Sequence, residues 1–114
     1  MFEFITSWFK STPVTQETLD LINNTIKQNE VTVFSKSYCP YCHQTKDLLN
    51  GLGQEFYVEE LDKQSNGSTI QKGLQELTGQ RTVPNIFING VHIGGNSDLQ
   101  QLNYSGKLKP MLGK

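Results

Sequence analysis

Val31-Thr32-Val33-Phe34-Ser35-Lys36-Ser37-Tyr38-Cys39-Pro40-Tyr41-Cys42 is the stretch on which the reading of the fold turns. Residues 31–35 are short and rich in β-branched side chains, which predicts a strand. Pro40 then sits where the first turn of a helix accepts it, because its missing N–H has no intrahelical partner there. Cys42, Thr45, Leu49 and Leu52 continue one face of that helix, and Gly51 and Gly53 end it. Both cysteines therefore stand at a strand-to-helix junction. Cys39 falls at the N-cap or just before the helix, facing orphan N–H groups and the positive end of the helix dipole. Lys36 adds positive charge three residues upstream. Such surroundings favour thiolate over thiol, which makes Cys39 the expected nucleophile. Cys42, one helical turn further in, is the expected resolving thiol.

Two other readings of the pair stand beside this one. Cysteines separated by two residues are half of a zinc site, but His43 and His92 would have to complete it, at spacings unlike a structural site. No metal is expected. The second alternative is an inert structural pair, but Pro at a helix start exposes the first sulfur instead of burying it. His43 reads as a solvated helix-face residue and His92 as an edge-strand residue.

Working outward, Leu19, Ile22 and Ile26 recur at helical spacing and predict a helix over 15–28. Residues 55–61 read as a second strand. A further helix starts at Asn66-Gly67-Ser68, with Ile70, Leu74 and Leu77 on its apolar face and Gly79 as its C-cap. Asn89-Gly90 lies between two apolar runs, 85–88 and 91–93, and is the clearest hairpin signal in the chain. Gly94-Gly95 breaks the second of these strands. Asn96, Ser97 or Asp98 is expected to cap a helix carrying Leu99 and Leu102, and 108–112 adds a short final helix. Helices and strands in this order predict an α/β layer structure, a mixed sheet with helices on both faces. Its first two strands should run parallel through a right-handed crossover.

The chain has 114 residues, enough for one domain with one core, and a net charge of -1. That balance gives no field for nucleic acid or an acidic membrane surface. No apolar run approaches the roughly 18 residues needed to span a bilayer. The two cysteines lie within four residues, so a bond between them would close too small a loop to staple a secreted fold. A reactive pair in a reducing compartment, the cytoplasm, is the expectation. Residues 1–13 read as an N-terminal extension ending at Pro13, followed by the domain proper over 14–114. The extension lacks the pattern of a secretory signal. Phe2, Ile5 and Phe9 share a helical face there, but an extra packing segment or frayed terminus is favoured over membrane contact.

Four motifs together resemble the dithiol glutaredoxin family, particularly its yeast-type members. They are Lys36-Ser37-Tyr38-Cys39-Pro40-Tyr41-Cys42, Gln80-Arg81-Thr82-Val83-Pro84-Asn85, Ile88-Asn89-Gly90-Val91-His92-Ile93-Gly94-Gly95, and Asn96-Ser97-Asp98-Leu99. The resemblance spans about 15–112. It implies the thioredoxin fold, a four-stranded mixed sheet flanked by helices. It implies glutathione as co-substrate, with oxidised or glutathionylated proteins as substrates, and nothing in it demands more than a monomer. It further implies a mixed disulfide of Cys39 with glutathione. Lys36 and Gln80 would meet the glycine-end carboxylate, and Tyr41 would line the groove. In Thr82-Val83-Pro84 a cis Pro84 would leave the Val83 backbone to pair with the bound peptide. Gly95, Asn96, Ser97 and Asp98 would hold the γ-glutamyl end, where a helix N-terminus suits a carboxylate and Asp98 an ammonium. The Ser97-Asp98 pair departs from members with two acidic residues there, which leaves the ammonium to Asp98. Some relatives instead share an iron–sulfur cluster between two chains, and Pro40 argues against that use. Thr82 and Asp98 could also serve only as turn and cap residues. A thioredoxin proper is the third reading, against which the pocket residues and Tyr41 speak.

Overall fold

The computed structural model describes residues 13–114. The extension expected over 1–13 therefore lies outside the described residues but for Pro13. The elements are α1 (Gln16–Gln28), β1 (Val31–Ser35), α2 (Pro40–Gly51), β2 (Tyr57–Glu60), a 3-10 turn (Leu61–Lys63), α3 (Gly67–Thr78), β3 (Asn85–Ile88), β4 (Val91–Gly94), α4 (Asn96–Tyr104) and α5 (Leu108–Met111).

Among the described residues, one sheet forms with strand order β2-β1-β3-β4. β1 and β2 are parallel, while β1/β3 and β3/β4 are antiparallel. This is the mixed sheet expected, and with its flanking helices it is the thioredoxin fold. The strand period of two divides the core. Val31 and Val33 of β1 and Ile86 and Ile88 of β3 point to one face, where Leu49, Leu99, Leu108 and Leu112 cover them. Phe34 and Phe87 point to the other, against Ile22 and Ile26 of α1, Leu61, and Ile70 and Leu74 of α3. The Phe34 and Phe87 rings meet edge to face, with centroids 6.0 Å apart. Burial on both faces explains why β1 and β3 are apolar almost throughout.

Local chemistry sets the element ends. The Thr15 hydroxyl accepts from the Thr18 N–H at 3.2 Å and caps α1. Gly79, at φ 82, ends α3. Asn89 and Gly90 both take positive φ, 50 and 81, as a two-residue hairpin turn requires. Three expectations need correction. β2 begins at Tyr57, not at 55, because pairing with β1 starts at Thr32 opposite Tyr57. Leu61 leaves the sheet for the 3-10 turn, which drives it into the core. Leu77 is 41% exposed instead of packed, since α3 is anchored by Ile70, Gly73 and Leu74.

A fourth correction concerns α4. Its N-cap is Gly95, and Asp98, three residues in, reaches back to accept the Gly95 N–H at 2.9 Å. Gly94, at φ 118, makes room for that carboxylate, which a Cβ would strike.

The register gathers the loops of interest at one edge. The end of β1 lies beside the end of β2 and the start of β3, as Ser35 opposite Glu60 and Phe34 opposite Asn85 show. The end of β4 lies beside the start of β3, with Gly94 opposite Ile86. The segments that carry Cys39, Asp62, Pro84 and Gly95 therefore emerge side by side.

Candidate active site

Cys39 is the N-cap of α2, with extended backbone (φ -90, ψ 118). Its Sγ accepts the Cys42 N–H at 3.3 Å. A helix N-terminus thus points a donor and its dipole at this sulfur. The Cys39 thiol in turn donates to the Val83 carbonyl at 3.8 Å. Both thiols are free. Cys39 is partly exposed and Cys42 fully buried. Burial pushes the Cys42 thiol up to about 11, with the Cys39 side chain adding to the effect. One sulfur is therefore accessible and supplied with a donor, and the other is held as a neutral thiol behind it.

Val83-Pro84 is a cis peptide bond, and Pro84 is buried. Among the described residues, no backbone-to-backbone hydrogen bond engages Val83. Beside it runs a groove of about 470 Å³ lined by Tyr41, Thr82, Val83, Pro84, Gly95, Asn96 and Ser97. Tyr41 stands 62% exposed at its rim. A Cβ on Gly95 would lie 3.7 Å from the Pro84 carbonyl, an ordinary van der Waals contact, so Gly95 and the cis-proline loop are neighbours in the wall.

The other expected residues stand behind this wall or before it. The Gln80 amide donates to the Thr82 and Pro84 carbonyls, both at 2.9 Å, and so braces the loop from behind. Gln71 donates to the Arg81 carbonyl at 2.8 Å and holds the same loop from α3. Lys36 begins the turn that leads to Cys39, where its carbonyl accepts the Cys39 N–H at 3.1 Å. Asp98 keeps one oxygen on the Gly95 cap. The Asn96 side chain turns inward. Its amide donates to Gln44 Oε1 at 2.9 Å, and its oxygen accepts from Thr45 at 2.9 Å and from Gln100 at 3.2 Å. Only the backbone of Asn96 is left to face the groove.

Sequence reasoning missed several residues. Thr45 and Gln44 tie α2 to α4 through Asn96, which Gln100 braces from within α4, yet Thr45 reads in sequence only as a small residue on a buried stripe. Asp62 accepts from the Ser37 N–H at 2.9 Å and from the Ser37 hydroxyl. Lys46 of α2 pairs with Glu60 of β2 at 2.6 Å. The two histidines are also committed. His43 Nε2 lies 2.9 Å from the Ser37 carbonyl and His92 Nε2 2.9 Å from Asn85 Oδ1. Burial holds the His92 imidazole below its ordinary range, with Asp98 opposing. Among the described residues, no three His, Cys, Asp or Glu side chains converge as a metal site.

The arrangement suits thiol–disulfide exchange: an accessible sulfur at a helix N-terminus, a second sulfur one turn behind, and a groove beside Val83, whose backbone has no backbone partner among the described residues. The family model described as Glutaredoxin matches residues 31–93. Glutaredoxin-C2 of Arabidopsis thaliana is 55% identical over 87 residues, covering 76% of this chain and 78% of that protein. Glutaredoxin-1 of Saccharomyces cerevisiae is 46% identical over 106 residues, covering 87% of this chain and 94% of the relative. Among solved structures, a buckwheat glutaredoxin–glutathione complex superposes with a TM-score of 0.82 at 44% identity, covering 87% of this chain and 94% of that one.

Proposed function

This chain belongs to the glutaredoxin family, a family of thiol–disulfide oxidoreductases acting with glutathione, and from that premise we propose how its residues divide the reaction. Cys39 is the nucleophile. With a glutathionylated protein, its thiolate attacks the glutathione sulfur. A Cys39–glutathione disulfide forms, and the protein thiolate leaves and takes up a proton. The thiolate of a second glutathione then attacks the glutathione sulfur of that mixed disulfide. Oxidised glutathione leaves, and Cys39 is thiolate again. With a protein disulfide, Cys39 forms a mixed disulfide with one protein sulfur and releases the other. Cys42 loses its proton and attacks Cys39 Sγ, which frees the substrate thiol and leaves a Cys39–Cys42 disulfide for two glutathiones to reduce.

The observation that carries this reading is the Cys39 sulfur, held by the Cys42 N–H and in contact with the Val83 carbonyl beside the groove, where Val83 has no backbone partner among the described residues. An extended tripeptide fits such an edge by strand-like pairing. In our reading glutathione is the co-substrate and lies along Thr82-Val83-Pro84 with Tyr41 as a wall. Its glycine carboxylate faces Lys36 and Gln80. Its γ-glutamyl end faces the α4 N-terminus, where the N–H groups after Gly95 take the carboxylate and Asp98 the ammonium. Since the Gln80 amide hydrogens already brace the loop, Gln80 contributes there chiefly by holding Thr82 and Pro84 in place.

We further place the working domain at 14–114 and read it as a monomer of a reducing, cytoplasmic compartment, acting on oxidised and glutathionylated proteins. The confinement of both cysteines to one four-residue stretch, too small a loop to staple a secreted fold, supports the compartment. Among the described residues, no helix is long and apolar enough to cross a membrane. The test separates the two sulfurs. Cys39→Ser should abolish reduction of both substrate types. Cys42→Ser should lose protein-disulfide turnover and keep deglutathionylation. Turnover surviving in Cys39→Ser would overturn the assignment.

A further inference from the structure

The turn that delivers Cys39 to its helix is gripped more firmly than a surface turn of this length needs to be. Lys36, Ser37, Tyr38 and Cys39 form one turn, closed by the Cys39 N–H donating to the Lys36 carbonyl at 3.1 Å. Every polar group of Ser37 in that turn is engaged. Its N–H donates to Asp62 Oδ1 at 2.9 Å, and its hydroxyl donates to Asp62 Oδ2. Its carbonyl accepts from His43 Nε2 at 2.9 Å. Asp62 sits 25 positions along the chain, on the 3-10 turn after β2, and His43 on the first turn of α2. Two separate elements therefore hold one residue two positions before the nucleophile. Tyr38, between them and Cys39, projects outward at 70% exposure and makes no side-chain hydrogen bond among the described residues.

We propose that Asp62 is a positioning residue for the Cys39 nucleophile, acting through Ser37. The proposal deepens the reading of the active site given above and rests on it for the identity of the reaction. The physical argument is one of freedom. A cysteine at an N-cap gains from the helix N–H groups only while its backbone stays extended beside the first turn. Without an anchor, the turn from β1 could rotate and carry Sγ away from the Cys42 N–H. A carboxylate accepting two donors from one residue fixes both the position and the orientation of that residue, which a single bond would not. Those two donors also hold the Asp62 carboxyl below its usual range, the hydroxyl foremost and the backbone N–H next. It is therefore a carboxylate wherever the enzyme works. Against the Ser37 carbonyl, an acceptor, the His43 ring takes the form that carries a proton on Nε2.

The full-length protein should be compared with Asp62→Ala, Asp62→Asn and Ser37→Ala. Two rates are read: alkylation by iodoacetamide, located on Cys39 by mass spectrometry, and turnover of a glutathionylated peptide. Asp62→Ala should slow both by about tenfold, the equivalent of one lost hydrogen bond to a charged group. The fall should lie in kcat, with KM for the peptide within about twofold of wild type. Asn can accept the Ser37 N–H through Oδ1 and donate its amide to the Ser37 hydroxyl, which keeps both contacts, so Asp62→Asn should recover most of the rate. Ser37→Ala should fall between. Asp62 is exposed, so thermal unfolding should shift little across the series. Wild-type rates in Asp62→Ala, or equal losses in the Ala and Asn variants, would overturn the proposal. If the wild type itself failed to turn over the peptide, the reaction assignment would fall, while the alkylation contrast would still decide the role of Asp62.

Discussion

Cys42 makes no contact with solvent, and its thiol is pushed up to about 11. The folded chain keeps this proton where an unfolded cysteine, near 9.0, would release it. The folded state therefore binds more protons between those two values, and stability falls as pH rises through them. Below pH 9 the contribution is present in full. A shift of this size corresponds to about 3 kcal/mol. Denaturant melts of the wild type between pH 9 and 11 should show this loss, and Cys42→Ala should flatten it. Tyr57, raised chiefly by its bond to Glu59, bends the curve in the same direction, so the difference between variant and wild type is the quantity to read.

Between elements, Asn96 joins α2, which carries both sulfurs, to α4, which carries the far end of the groove. It is buried, and its oxygen serves two donors. Asn96→Leu would leave the Thr45 hydroxyl buried without its acceptor, at a cost of about 1–3 kcal/mol. Pairing it with Thr45→Val should cost less than the two single changes summed, which a double-mutant cycle of urea midpoints would show. The join between the 3-10 turn and α3 is tighter still, because a Cβ on Gly67 would overlap the Leu61 carbonyl. Gly67→Ala should therefore destabilise by about 1–3 kcal/mol despite the better helix propensity of alanine. Neither join is legible in the sequence. Asn96 meets partners 51 and 52 positions away, and Asp62 meets one 25 away. No periodicity marks such pairs. Asn-Gly and Pro40 are legible because their constraint is local, a positive φ or a missing N–H. Asn96 lines the groove, as its place in the motif leads one to expect, but its side-chain bonds to Gln44 and Thr45 leave no mark in the sequence.

Across the whole molecule, the sheet splits the core into two layers, one centred on Leu49 and Leu99, the other on Phe34 and Leu74. Leu49→Ala and Phe34→Ala should each cost about 3 kcal/mol, since both side chains are buried. They lie in separate clusters, so the losses should nearly add. Their sum, about 6 kcal/mol, is a large part of the roughly 5–15 kcal/mol that holds a domain of this size, so the double variant should unfold at much lower urea than either single variant. The layer order was legible because β1 and β3 are apolar on both faces. The exact ends of β2 were not, because residues 55 and 56 carry the strand pattern without a partner on β1.

The register that gathers Cys39, Asp62, Pro84 and Gly95 at one edge of the sheet leaves the other edge without any part in the chemistry. There the Asn89-Gly90 turn between β3 and β4 lies beside the start of β1, where the Asn89 N–H donates to the Glu30 carbonyl at 2.7 Å. β1 alone separates the two poles by about 13 Å, at the usual rise per strand residue. A dye, affinity handle or surface tether fixed at that pole would leave the reacting sulfur facing open solvent, so an immobilised protein could be followed through single turnovers.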